Sequence, residues 1–96
     1  MISNQSRFLH VAFAFPLIFP AQQAAIEKAL GMHGDWLRYA PNCWIVFAAH
    51  EPITLVQNLE AIPGMHQAGF LVAEIGVYAG RLDQKAWDWM NQFRRQ

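Results

Sequence analysis

Along residues 8–15, large apolar positions (Leu9, Val11, Phe13, Phe15) alternate with small or polar ones (His10, Ala12, Ala14). A period of two predicts a strand, and Pro16 and Pro20 close it. The period then lengthens. From Pro20 or Ala21 to Leu30, residues Ala25, Ile26, Ala29 and Leu30 fall on one stripe of a helix, and Gly31 supplies the stop. Residues 34–47 hold two aromatic-rich runs on either side of Pro41-Asn42. Proline presets φ for the first corner of a turn and asparagine tolerates the second, so a hairpin is expected there.

Counting outward from that turn pairs Ala40 with Cys43, Tyr39 with Trp44, Arg38 with Ile45, Leu37 with Val46 and Trp36 with Phe47. Leu37, Tyr39, Trp44 and Val46 then share one face, and Trp36, Arg38, Ile45 and Phe47 the other. Both faces are apolar. A second helix is expected over residues 52–62, with Leu55, Val56, Leu59 and Ile62 at helical spacing, proline in the first turn and Pro63-Gly64 as terminator. Residues 70–77 read as the last strand, in which Glu74 and Gly76 alternate with Leu71, Ala73 and Ile75. Asp83 can cap a final helix over residues 84–94 whose apolar side carries Ala86, Trp87, Met90 and Phe93.

The order is βαββαβ followed by a helix, in one domain spanning residues 1–96, with a core at 7–80 and the terminal helix at 83–95. Two amphipathic helices around a central hairpin predict an α+β, ferredoxin-like sandwich with a four-stranded antiparallel sheet. Right-handed crossovers would put the first and third strands at its centre, flanked by the fourth and second. Two helices cover only one face. The other would carry His10, Ala12, Ala14, Arg38, Ile45, Phe47, Val72 and Glu74. An exposed apolar field of about 500 Å² would sit at the upper limit for a monomer. A homodimer through this face, or a fold-back of the C-terminal helix, would cover it. The dimer reading takes His10, Ala12, Ala14, Ile45, Phe47, Val72 and Glu74 as the interface.

Composition sharpens this picture in one respect. Of the 96 residues, 54% are hydrophobic and 15% charged, against roughly 45–50% and about 25% in ordinary domains. The surplus suits a covered second face. Net charge is zero, so no global field draws the chain to nucleic acid or anionic lipid. Cys43 is the one cysteine; it permits no internal disulfide or zinc motif and fits a reducing, cytoplasmic setting. Residues 8–19 are apolar enough to suggest a signal-peptide core. His10, Pro16 and the lack of a clean small-residue cleavage site favour a buried strand, and the run is too short to span a bilayer.

The hairpin Asp35-Trp36-Leu37-Arg38-Tyr39 … Trp44-Ile45-Val46, the helix anchored on Leu55 and Leu59, the strand at residues 70–75 and the tail Trp87-Asp88-Trp89-Met90 resemble, in order, the SinR-like small bacterial proteins. Those are relatives of the CRISPR-associated nuclease that accompanies the spacer integrase. The resemblance covers residues 8–93, with the aromatic hairpin its most distinctive part. It implies a ferredoxin-like dimer. In the nuclease members an aspartate near the end of the first strand pairs across the dimer axis to hold a divalent metal. The matching position here is Ala14, which cannot ligate a metal, and residues 8–23 contain no Asp or Glu. That departure argues against metal-dependent cleavage of the family type.

No catalytic constellation stands out. His10 and Glu74, on adjacent strands, would meet on the helix-free face as a general base, a pH-sensitive contact or a polar pair at a dimer seam. His33, His50 and His66 fall in loops without a metal-binding spacing and read as scattered surface histidines. Trp36 beside Arg38, with Arg94 and Arg95, are candidate nucleic-acid contacts, since single strands are bound by aromatics next to cations. Trp44 belongs to the core. Glycine-rich phosphate loops and nucleophile elbows are missing. The expectation is a non-catalytic, self-associating protein; the resemblance alone implies the setting, an accessory or regulatory part of a bacterial defence or toxin–antitoxin locus. A metal-dependent endoribonuclease or nucleic-acid binder is the alternative, and a small-ligand module the third class. No cofactor and no membrane are expected; a second copy is the first partner, another protein or nucleic acid the next.

Overall fold

A computed structural model describes residues 6–14, 20–65, 69–76 and 78–94, with Arg94 as backbone only. The sequence readings at Phe15, Pro16, His66, Val77 and Arg95 lie outside the described residues. The elements are β1 (Arg7–Phe13), α1 (Pro20–Gly31), β2 (Gly34–Ala40), β3 (Cys43–Ala48), α2 (Pro52–Glu60), β4 (Phe70–Ile75) and α3 (Gln84–Arg94). The strands form one antiparallel sheet in the order β2-β3-β1-β4. This is the ferredoxin-like βαββαβ arrangement with an added C-terminal helix, and β1 and β3 are its central strands, as the pattern predicts. Among the described residues no helix is long and apolar enough to cross a membrane.

The helix stripes behave as their spacing requires. Ile26 and Leu30 of α1 and Leu55 and Leu59 of α2 are fully buried against Leu9, Val11, Trp44 and Val46 of the central strands. Burial of each such side chain contributes about 1.5–3 kcal/mol. Pro52 opens α2, and Gly64 beyond its end takes φ 84°, a left-handed conformation suited to glycine. Asp83 stands at the start of α3, its carbonyl accepting the N–H of Ala86 at 3.0 Å and of Trp87 at 3.3 Å. Gly34 has a different task. A Cβ there would lie 2.0 Å from the Phe47 carbonyl oxygen, so only glycine lets β2 begin so close to β3.

Two expectations about faces are corrected. Ala40 pairs with Cys43 as predicted, but Arg38 pairs with Trp44, Trp36 with Val46 and Leu37 with Ile45, because a bulge at Tyr39 shifts the register by one. Since faces alternate, the slip sends Trp36 and Arg38 to the side of α1 and α2. Leu37 and Tyr39 go to the other. In β4, Val72 pairs with Val11 and Glu74 with Leu9, so both lie on the α1–α2 side. Leu71, Ala73 and Ile75 occupy the second face instead.

That second face is roofed by α3. Phe8, Ile45 and Met90 are buried together, with Tyr39, Phe47, Ile75, Tyr78, Trp87, Trp89 and Phe93 packed around them. Phe47 stacks on Phe93 at 4.3 Å between ring centroids, and Phe8 touches Phe47, Tyr78, Trp89 and Phe93. Of the two ways to cover this face, the fold-back of the C-terminal helix is the one present in the chain itself.

Candidate functional site

α3 does not seal the second face. It crosses the sheet over Phe8, Ile45 and Phe47 and leaves a crevice beside the bulge in β2. His10, Tyr39, Ile45, Ile75, Trp87 and Met90 line an inner cavity of about 200 Å³, closed on one side by residues 78–82. A wider hollow of about 600 Å³ adjoins it, bounded by Leu37, Arg38, Tyr39, Asp83, Lys85 and Ala86. The two share Tyr39, Arg81 and Leu82. Strands place the inner wall, while the chain between β4 and α3 supplies the mouth.

The bulge makes this site. It turns Tyr39 toward the second face, where its hydroxyl hydrogen-bonds Nε2 of His10, and the two rings lie 5.6 Å apart. Burial pushes the His10 pKa below its ordinary value, leaving the imidazole neutral and able to accept. The Tyr39 hydroxyl is pushed up to about 12, first by burial and then by its hydrogen bond to the Cys43 thiol and the charge that thiol would carry. Tyr39 therefore stays protonated across the physiological range. Neither group is poised as a base near neutrality, since one titrates below its usual range and the other far above. Trp87 stacks with Tyr78 at 6.3 Å and forms the opposite wall. Arg81 and Lys85 stand at the mouth with a single carboxylate, Asp83. The inner space is apolar and aromatic with one hydrogen-bonding pair; the outer space is polar and cationic on balance.

His10 and Glu74 do not meet. They project to opposite faces, and the Glu74 carboxylate accepts from Arg7 at 3.4 Å, while Arg7 also bonds Glu51 at 3.2 Å. The residues expected at a dimer seam divide accordingly. Ile45 and Phe47 lie under α3, Val72 and Glu74 are on the α1–α2 side, and His10 lines the crevice. Ala12 and Ala14 remain at the end of β1 that α3 leaves open. Ala14 is exposed, its N–H donating to the Gly69 carbonyl at 2.7 Å.

The candidate nucleic-acid contacts are not gathered on one surface. Trp36 packs into the α1–α2 core, while α3, which ends at Arg94, runs across the other face. Arg38 donates to the Pro41 carbonyl at 2.8 Å and lies over the Trp44 ring at 5.6 Å. Trp44 is core as expected, and its indole N–H donates to Glu27 at 3.0 Å. That carboxylate also accepts from Gln23 at 3.2 Å.

Sequence reasoning missed two groupings. Tyr39 joins His10 only because of the bulge, which a one-to-one count from the turn cannot reveal. His33 and His50, read as scattered, lie together with their Nδ1 atoms 3.0 Å apart. The same outward count from the turn, carried three residues past Trp36 and Phe47, would have set them opposite one another. Compared with protein-family profiles, with characterised proteins and with solved structures, the chain finds no match.

Proposed function

We propose that this protein is a non-catalytic binding module that takes a small organic anion in the crevice beneath α3. An aromatic or branched apolar body would fill the inner cavity between Ile45, Ile75, Trp87 and Met90. A hydrogen-bonding group on it would meet the His10–Tyr39 pair, and its carboxylate would face Arg81 and Lys85. The observation that carries this reading is an apolar cavity of about 200 Å³ that shares Tyr39, Arg81 and Leu82 with a neighbouring hollow edged by Arg81 and Lys85. Such a gradient, apolar inside with a few convergent polar groups, is the usual make-up of a small-molecule site. The protonation behaviour of His10 and Tyr39 favours recognition over proton transfer. A half-buried Cys43 thiol suits a reducing, cytoplasmic compartment. The resemblance to the SinR-like proteins adds a setting, an accessory or regulatory role in a bacterial defence or toxin–antitoxin locus.

Titration with a panel of aromatic and branched-chain carboxylates, followed by tryptophan fluorescence and melting temperature, tests the proposal. A ligand at 100-fold excess over its Kd raises stability by about 2.7 kcal/mol, and Arg81→Ala should weaken the same ligand while leaving the melting temperature of the free protein unchanged. A panel that moves neither signal at millimolar concentration removes the proposal.

Self-association is the second reading. Leu71 is 63% exposed on the face that α3 only partly covers, beside the strip of Ala12 and Ala14 at the open end of β1. A second copy there would cover the strip and leave the crevice open.

A further inference from the structure

On the α1–α2 side, where the two ends of the hairpin meet α2, His33 and His50 close on each other. His33 directly precedes β2 and His50 follows β3 by two residues. Their rings stand at 80°, with centroids 4.5 Å apart and Nδ1 facing Nδ1 at 3.0 Å. The remaining nitrogen of His33, Nε2, lies 2.6 Å from the side-chain amide of Asn58 in α2. An amide group can present either its N–H or its oxygen there. With the oxygen turned in, Nε2 keeps the proton and the lone pair of Nδ1 points at His50.

We propose that His33 and His50 form a two-histidine chelate for a late divalent transition metal, of the Cu²⁺ or Ni²⁺ type, held through both Nδ1 atoms with Asn58 as the positioning residue. Two nitrogens at 3.0 Å subtend roughly 90–100° at a metal about 2.0–2.1 Å from each, the distance of imidazole ligation. That is the angle between neighbouring ligands of a tetragonal or octahedral ion. A tetrahedral ion such as Zn²⁺ would need the pair spread to about 3.3 Å at the same bond length. Imidazole suits Cu²⁺ and Ni²⁺, and tetragonal geometry selects them.

The surroundings fit. Metal-bound histidines characteristically donate their second ring nitrogen to a fixed acceptor, which sets the tautomer and ring orientation. Asn58 would be that acceptor once its amide oxygen, in place of the nitrogen now 2.6 Å away, is turned toward Nε2. In the metal-free protein the two Nδ1 atoms share one proton in an N–H···N bond. On metal binding each imidazole keeps its single proton on Nε2, so the exchange requires a tautomer shift and no net loss of protons. No group of three or more His, Cys, Asp or Glu is assembled among the described residues. Glu51, next to His50, is engaged by Arg7 at 3.2 Å. Water therefore completes the shell, which leaves open positions on the metal.

Calorimetric titration of the full chain with NiCl₂ at neutral pH tests the site, with melting temperature as second readout. The expected result is one ion per chain and a rise in melting temperature that a chelator reverses. His50 is exposed, so His50→Ala should keep the metal-free melting temperature and weaken Ni²⁺ binding at least tenfold. Asn58→Ala should weaken binding by roughly 10- to 100-fold, the usual effect of losing an outer-shell partner. Retention of full affinity in His50→Ala, or no heat and no thermal shift with the wild-type chain, overturns the proposal.

Discussion

The two faces of the sheet are packed by different means. On the α1–α2 side the core is mostly aliphatic and closed: Leu9, Val11, Val46, Ile26, Leu30, Leu55 and Leu59 are shielded from solvent, and Trp44 is inserted among them with its N–H satisfied by Glu27. On the α3 side, aromatic rings dominate, only Phe8, Ile45 and Met90 of that cluster are buried, and a crevice remains. Branched aliphatic chains on two helices interdigitate densely. Flat rings from the strands and one helix meet both stacked and edge to face, and they leave space between them. The first face therefore supplies stability, while the second supplies a cavity and a detachable roof, the kind of region from which local opening draws.

Substituting one residue on each face separates these roles. Trp44→Ala removes a wholly buried indole and one of the donors to the Glu27 carboxylate, and it should cost about 3–5 kcal/mol. For a domain of this size that is a large share of a total of roughly 5–15 kcal/mol, so a urea midpoint should collapse or the chain should fail to fold. Phe47→Asp acts on the other face. It breaks the stack with Phe93 at 4.3 Å and sets a charge under the helix. The expected outcome is undocking of α3 with the sheet retained: fast amide exchange in α3, continued protection in β1, and loss of near-ultraviolet signal from Trp87 and Trp89. If the two variants unfolded alike, the faces would be one cooperative unit and the contrast would be wrong.

How far the pattern of the chain foretold this division depends on which constraint was local. The helix stripes and the strand order follow from period and connection rules, and Ile26, Leu30, Leu55 and Leu59 occupy the core as predicted. The fold-back of α3 was one of two ways to cover the second face, because Ala86, Met90 and Phe93 mark an apolar stripe without naming its target. The faces of β4 were misread for a physical reason. Both sets of alternating residues are apolar, so Glu74 alone suggested which side was free. It sits instead at the end of the strand, where Arg7 reaches it and no burial penalty applies. The bulge at Tyr39 left no sequence mark, since it uses no glycine. The crevice depends on that bulge and was invisible for the same reason.

Acidity and alkalinity probe the same contrast more gently. His10 and Tyr39 lie on the α3 side and are both biased by burial toward their neutral forms. For His10 the folded pKa is below the ordinary 6.5, so the unfolded chain binds more protons between the two values. Stability is then highest above 6.5 and falls as pH drops through that window. His33, on the other side, is lowered from the same 6.5 and adds to the acid limb. For Tyr39 the folded pKa of about 12 exceeds the ordinary 10.0. Its contribution is complete below 10.0 and is lost as pH rises toward 12. Urea midpoints across pH should therefore show a plateau with two falling limbs. Tyr39→Phe should abolish that group's share of the alkaline limb, while His10→Gln should flatten only part of the acid limb, the rest belonging to His33. An alkaline limb unchanged in Tyr39→Phe would mean that the hydroxyl is solvated, and the inner wall of the crevice would then be open to water.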